Sequence, residues 1–539
     1  MSLNPNTSDP SPTTAPFTGR SLVIFCLLLL LSISLASCTA EALLNPPRAV
    51  TQTAQSALRL TAEAAPSPTP LTSDTIRTLD EATRVVSEAV VAEVNVIDPL
   101  VVWVNETSAE HQAAAAQIGA EFEAKLGRKV EFQFIEALRV GDLAEVAQAN
   151  GHLPDLILHG REQVGGLLAA QILDVETATA ISAELNLTTA ANDLYPMPNG
   201  QVPALPSDAF QYMLFYRSDW LGSDFAAPDT FIDIESIAKA FYNLDQEDRP
   251  EDVAPVAGIA IPTEPSLAST QRIFEWLAIA NGCQLVDQKG EVLLNQPACL
   301  ETLDYYKNLI FNYSPPDFQT ERTTVRAYID GRTAMMIGTA RDIPIILGAN
   351  PKFRPACAEC AGNAGYLAAN TGIVTRLSGS NAVAKSVNMS HARLLGITVG
   401  ADADAAAFAK FWFNEGYLTW LGVMPASKVP LYDPAFADWQ ALPTGNGSTA
   451  GAAQMPQALD AQREGITTAP RWGLAQGHGD LLSETYASKP LLAPFVLRFL
   501  GGLVSIEGSL QELMDAVTAE IPRYQFYPTP TPEPTEEEG

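Results

Sequence analysis

QVPALPSDAFQYMLFYRSDWL, residues 201–221, sets the organisation of this chain. It reads as two extended apolar segments with a polar kink, Pro206-Ser207-Asp208, between them. One run of alternating helical and strand patterns precedes it, and a second follows. A strand leaving one α/β half for another is a hinge, and a hinge between two such halves is a place to close on a ligand.

Upstream, Leu100–Val104 is a short apolar run, read as a buried strand. Thr107-Ser-Ala-Glu110 has capping-box form, and Ala114, Ile118, Phe122 and Leu126 repeat every four residues up to Gly127. Val130, Phe132 and Phe134 alternate as in a second strand, and a helix near 140–150 stops at Gly151. Pro154-Asp-Leu-Ile-Leu158 reads as a third strand, followed by a helix from about Gln163 to Ile172-Leu173. This β-α-β-α-β-α order predicts a mostly parallel sheet with helices on both faces. Ligands collect at the carboxyl ends of such strands. Here those ends carry Asn105, Glu106, Arg161 and Glu162, candidate ligand residues against the alternative of a solvated loop.

The 539 residues suffice for two or three domains, and 47% apolar content suits globular cores. A net charge of −30 and a pI near 4.4 argue against nucleic acid, whose phosphates such a surface repels. SLVIFCLLLLLSISLASC follows Arg20 and is short for a membrane span, but it suits a secretory signal. Residues 38–97 read as a Pro/Thr/Ala-rich tether with helical spacing over 73–94, and 526–539 as a disordered acidic, Pro-rich tail. Four cysteines lie in the folded region and allow three pairings. Cys283–Cys299 and Cys357–Cys360 are the expected pairs, since Cys357-Ala-Glu-Cys360 lacks the second CxxC or His pair of a zinc site.

Further segments carry a resemblance. Trp103-Val-Asn105, Glu121–Gly127, Lys129–Phe132 and Leu153–Leu158 resemble the opening of an extracellular solute-binding protein of the maltose-binding type (family 1), the receptor of an ABC importer. The 201–221 crossover, Ala227–Ala240, Trp276–Gly282, Gly290–Asn295, Asp330–Ile337, Leu395–Thr398, Phe411-Trp-Phe and Leu421–Pro425 are similar to later segments of that family, in the same order. The resemblance spans Val101 to Pro425 and weakens after Pro430; Leu35-Ala36-Ser37-Cys38 likewise resembles a bacterial lipobox.

What the resemblance implies is a two-lobed periplasmic-binding-protein-like α/β fold (type II). Residues 1–37 would be a lipoprotein signal, cleaved so that Cys38 becomes the lipidated first residue; an uncleaved anchor is the alternative. Lobe 1 would comprise 98–208 plus 338–405 and lobe 2 209–337 plus 406–525, with a return crossing near Ile337–Ala340. Residues 348–389 and 433–479 depart from the pattern and read as loop insertions. The expected protein is a monomeric, lipid-anchored receptor on the outer face of the cell membrane, delivering a solute to ABC permease subunits without cofactor or metal. A carbohydrate is the favoured ligand, for which aromatic faces and convergent hydrogen-bonding groups are needed.

By position in the family, His159 stands where an aromatic is common, Ser207 and Asp208 at the crossover ligand position, and Arg341 where a stacking tryptophan is frequent. Trp276 and Trp472 are the remaining stacking candidates, while Phe210 and Tyr212 read as hinge packing and Trp412 and Trp420 as core. Two other functions were weighed. A surface carbohydrate-active hydrolase would need only two carboxylates, although Gly-x-Ser-x-Gly and His-Glu-x-x-His are both missing from the sequence. A ligand-sensing module for a membrane receptor would share the fold and differ in partner.

Overall fold

The computed structural model describes residues 98–243, 256–264, 268–350, 352–363, 365–442, 462–479, 498 and 506–520. The signal, Cys38, the tether and the acidic tail lie outside the described residues. No helix among those described is long and apolar enough to cross a membrane.

The first half alternates strand and helix. Strand β1 (Leu100–Val104) is followed by α1 (Ala109–Leu126), β2 (Val130–Phe134), α2 (Val140–Ala149), β3 (Leu156–Gly160), α3 (Val164–Ala169) and α4 (Val175–Glu184). Ser108, rather than Thr107, caps α1 by accepting the His111 N–H, and Gly127 ends it at φ 70°, a left-handed value that glycine adopts without strain. Alternation along β1 and β3 sends Leu100, Val102, Leu156 and Leu158 to the face covered by Ile118 and Phe122 of α1. Trp103 and Ile157 point oppositely, onto Val140 and Ala144 of α2 and Leu167 of α3. Helices thus cover both faces of the sheet.

Strand β4 (Leu205–Arg217) is the 201–221 crossover, and it is one continuous strand of 13 residues. Its first part pairs with β8 (Ser390–Ile397) and, at Asp208 and Ala209, with β9 (Val429–Pro430). Its second part pairs with β6 (Thr333–Thr339) and β7 (Thr371–Val374). The expected kink is a bulge, seen as a register shift between Pro206 and Ala209. The second half adds α5 (Phe231–Phe241), β5 (Ala257–Ala260), α6 (Ala268–Ala280), α7 (Pro297–Asn308) and α8 (Glu321–Ile329). The strand order is β2-β1-β3-β8-β4-β6-β5. In the first half β1, β2, β3 and β4 run one way and β8 opposes them; in the second β5, β6 and β7 run together against β4. Each sheet is therefore mostly parallel, with β8 and the short β9 reversed in the first half and β4 reversed in the second.

The lobe boundaries differ from those expected. The chain does not return at Ile337–Ala340. Residues 343–389 stay with the second half, where β7 pairs with β4 and Asn281 Oδ1 accepts the N–H groups of Ser380 and Asn381. The crossing back falls at Asn388–Ser390, where β8 begins. Helices α9 (Ala405–Phe411) and α10 (Tyr417–Leu421), joined through a π turn, pack on the first half rather than the second. The apolar face of α1 needs a cover, and Phe122 meets Phe408 and Phe411 at ring distances of 5.1 and 5.3 Å. Helix α11 (Ile506–Glu520) completes the described elements. Cys283 lies against Cys299 and Cys357 against Cys360 at disulfide distance, with Cα separations of 4.7 and 4.9 Å.

Candidate functional site

Strand ends of the first half, the crossover and the start of helices in the second half enclose one cavity of about 220 Å³. From the first half come Asn105 and Glu106 beyond β1, Glu162 beyond β3, and His391 and Arg393 on β8. The crossover supplies Phe210 and Tyr212. The second half supplies Ser269 and Arg272 of α6, Glu321 at the start of α8, and Thr339 and Arg341 where β6 ends.

Charge in the cleft is paired across it. Arg272 donates to Glu162 Oε1 at 2.6 Å, both side chains buried, and shares a hydrogen bond with the Tyr212 hydroxyl. Arg341 donates to Glu106 Oε1 at 3.0 Å. Glu106 also meets the Arg393 guanidinium, which in turn donates from Nε to Asp208 Oδ1 at 2.9 Å. Burial opposes the charge on Glu162, yet Arg272 and His391 outweigh it and hold its carboxyl well below the usual range. Burial pushes the His391 imidazole down to about 4, so the ring is neutral at pH 7. Lys428, buried behind Glu106 with its ammonium 4.2 Å from the Trp420 ring centre, is likewise held well below the lysine range by burial and by Arg393.

Phe210 is the aromatic wall, but Arg341 lies over its ring at 4.6 Å and His391 is tilted against it at 5.1 Å. Polar atoms of the wall without a hydrogen-bond partner in the protein include Asn105 Oδ1, which accepts, Arg341 Nε, which donates, and Ser269 Oγ, which can do either. The cleft offers paired charges plus both kinds of hydrogen-bonding group. No group of His, Cys, Asp and Glu among the described residues has a metal-binding arrangement.

Of the residues singled out from sequence, the cavity brings together Asn105, Glu106, Glu162 and Arg341. The other six are placed elsewhere. His159 is fully buried, its Nδ1 at 2.9 Å from the Gly160 carbonyl. Arg161 donates to the carbonyls of Leu194 and Ala469. Ser207 and Asp208 form the bulge of β4, and Asp208 is enclosed by Arg393 and Trp420 Nε1 at 3.2 Å. Trp276 is core, its Nε1 donating to Val387 O at 2.9 Å, and Trp472 donates to Cys283 O at 3.0 Å. Neither tryptophan presents a stacking face. Conversely, Phe210 and Tyr212, read as hinge packing, line the cavity.

Arg272, His391 and Arg393 were missed. The available signal was charge inside apolar stretches, since Arg272 and Glu275 interrupt a helix buried on nearly every side, and His391 and Arg393 sit in a fully buried strand. A charge in such surroundings requires a partner or a cleft.

This arrangement defines a class: a two-lobed α/β fold with a polar cleft whose charged and polar groups stand at strand ends. Residues 117–444 match the family described as bacterial extracellular solute-binding protein, and the chain belongs to that family. No curated protein matches the sequence. Among solved structures it is similar to the GacH receptor of Streptomyces glaucescens, solved unliganded and with acarbose, at 15% identity and a TM-score of 0.57, covering 79% of this chain and 99% of that one. Maltose-bound MalE3 of T. maritima is similar at 14% identity and TM-score 0.57, covering 78% and 99%. A solute-binding protein of Thermotoga lettingae bound with α-D-tagatose is similar at 18% identity and TM-score 0.56, also covering 78% and 99%. At these identities the likeness concerns the fold.

Proposed function

We propose that this protein is a lipid-anchored extracytoplasmic receptor that captures a small carbohydrate or polyol between its lobes and delivers it to an ABC permease. One observation carries the reading: polar side chains from both halves converge on a single cavity with both hydrogen-bond donors and acceptors in its wall. Hydroxyl groups of a polyol are both donor and acceptor, so they suit Asn105 Oδ1 and Arg341 Nε together. The acarbose, maltose and tagatose held by the similar structures support a carbohydrate ligand. Ligand bonded to both lobes favours the closed state, and closure is what a permease reads.

A binder fits this cleft better than a hydrolase does. A glycosidase needs one carboxylic acid protonated near neutrality, whereas Glu162 is held ionised against Arg272 and Glu106 is engaged by two arginines. The test is a thermal-shift and calorimetry panel of monosaccharides, alditols and oligosaccharides. A solute at about 100 times its Kd adds about 2.7 kcal/mol of stability. Asn105→Ala is expected to weaken its binding about tenfold with the ligand-free unfolding midpoint unchanged. If no sugar or polyol shifts the wild-type midpoint, the reading fails.

Anchoring rests on Cys38 and the apolar run before it. Mass spectrometry of the membrane fraction is expected to show a chain beginning at a lipidated Cys38. An intact Met1 there refutes the anchor.

A further inference from the structure

Two ion pairs cross the cleft from one half to the other: Glu162 to Arg272 at 2.6 Å and Glu106 to Arg341 at 3.0 Å. We infer that these two crossing pairs make the receptor selective for uncharged solutes, each acid excluding anionic solutes by satisfying an arginine and each arginine excluding cationic solutes by satisfying an acid. The inference deepens the sugar-and-polyol reading and rests on it.

Charge around the cavity wall is balanced, with Glu106, Glu162 and Glu321 facing Arg272, Arg341 and Arg393. Glu162, buried, and Glu106, partly buried, are already held by guanidinium groups, and Glu321 is exposed. A neutral polyol makes hydrogen bonds beside these pairs without disturbing the balance. A carboxylate-bearing sugar finds Arg272 and Arg341 engaged, and a protonated amino sugar finds Glu162 and Glu106 engaged. Either must lose hydration without gaining a counter-charge, or must break a pair and strand its other member; both are costly in a semi-enclosed site. Neutral isosteres of one member then convert the exclusion into an attraction. Glu106→Gln removes the carboxylate that Arg341 and Arg393 share and leaves Arg393 with Asp208, so the wall gains one positive charge. Arg341→Met leaves Glu106 with one guanidinium shared with Asp208.

The test uses the processed full chain and measures, at one fixed salt concentration, binding of hexoses and hexitols, their onic and uronic acids, and their 2-amino analogues in protonated form. In the wild type, at least one uncharged probe is expected to bind tenfold or more tighter than its acid and amine analogues. Glu106→Gln is expected to raise the affinity of the acid relative to the neutral probe at least tenfold, and Arg341→Met that of the amine. Should Glu106→Gln fail to fold, Glu162→Gln, which removes the carboxylate facing Arg272, is read in its place. Wild-type binding of an acid or amine as tight as its neutral analogue overturns the inference and leaves the function standing. An equal loss for all three probes in both variants also overturns it, because the pairs then serve closure alone. Binding of no probe of any charge removes the function itself and the selectivity with it.

Discussion

His159 illustrates how a side chain that looks like a ligand group is committed to stability. It is wholly buried beside Gly396, its Nδ1 on the Gly160 carbonyl, and burial pushes its imidazole down to about 4. The unfolded chain takes up this proton near pH 6.5, and the folded chain only near 4. Between those values the unfolded state binds more protons, so stability falls as pH falls and the loss is complete below about 4. The shift corresponds to about 3 kcal/mol. His391 and His111, held down to about 4 and about 3 by burial, act in the same direction. Asp342 opposes them: burial lifts its carboxyl to about 7, so the folded state binds the extra proton between about 4 and 7 and gains stability as pH falls through that window. Urea titrations at pH 7 and pH 4 are expected to show a shallower loss in His159→Asn than in wild type. An identical loss in both proteins excludes His159 as a contributor.

At the scale of the element, β4 explains why Asp208 is not a residue to mutate for binding alone. The bulge at Ser207-Asp208 turns the Ser207 carbonyl to the Leu431 N–H at 3.0 Å and to the Tyr417 hydroxyl, while Asp208 meets Arg393 on the neighbouring β8. The carboxylate is fully buried, and so is its partner. Asp208→Ala therefore leaves the Arg393 charge with Glu106 alone and is expected to cost about 3–5 kcal/mol of unfolding free energy, read from urea midpoints. Its place at the crossover ligand position in the family had pointed to a role in binding instead. A variant as stable as wild type would restore that view. A strand shared by two sheets cannot be altered at its bulge without disturbing both.

For the whole molecule, segment 462–479 joins what the sequence read as separate parts. The Gln211 amide donates to the Gln462 and Glu464 carbonyls, Arg161 of the first half donates to Ala469 O, and Arg471 pairs with Glu275 of α6 at 3.0 Å. The stretch read as a loop insertion thus includes a partly buried strap bonded to both halves. Together with β4 and β8 it fixes where the two walls of the cleft face each other.

Local chemistry was legible in the sequence. Ala114, Ile118 and Phe122 at helical spacing, the glycine stops at 127 and 151, and the alternation through β1–β3 follow from side-chain period and backbone freedom, which need only neighbouring residues. So did the family order of segments, and with it the two-lobed class and the strand-end location of Asn105, Glu106 and Glu162. What no local pattern carries is which distant side chains meet. Arg272 closing on Glu162 across 110 residues, Arg341 on Glu106 across 235 and Arg393 on Asp208 across 185 are decided by how the two sheets share β4. Trp276 and Trp472, aromatic enough to stack on a sugar, were drawn into the core because their indole N–H groups found the Val387 and Cys283 carbonyls there. A sequence states which groups a protein has, and burial at long range determines which of them remain to meet a ligand.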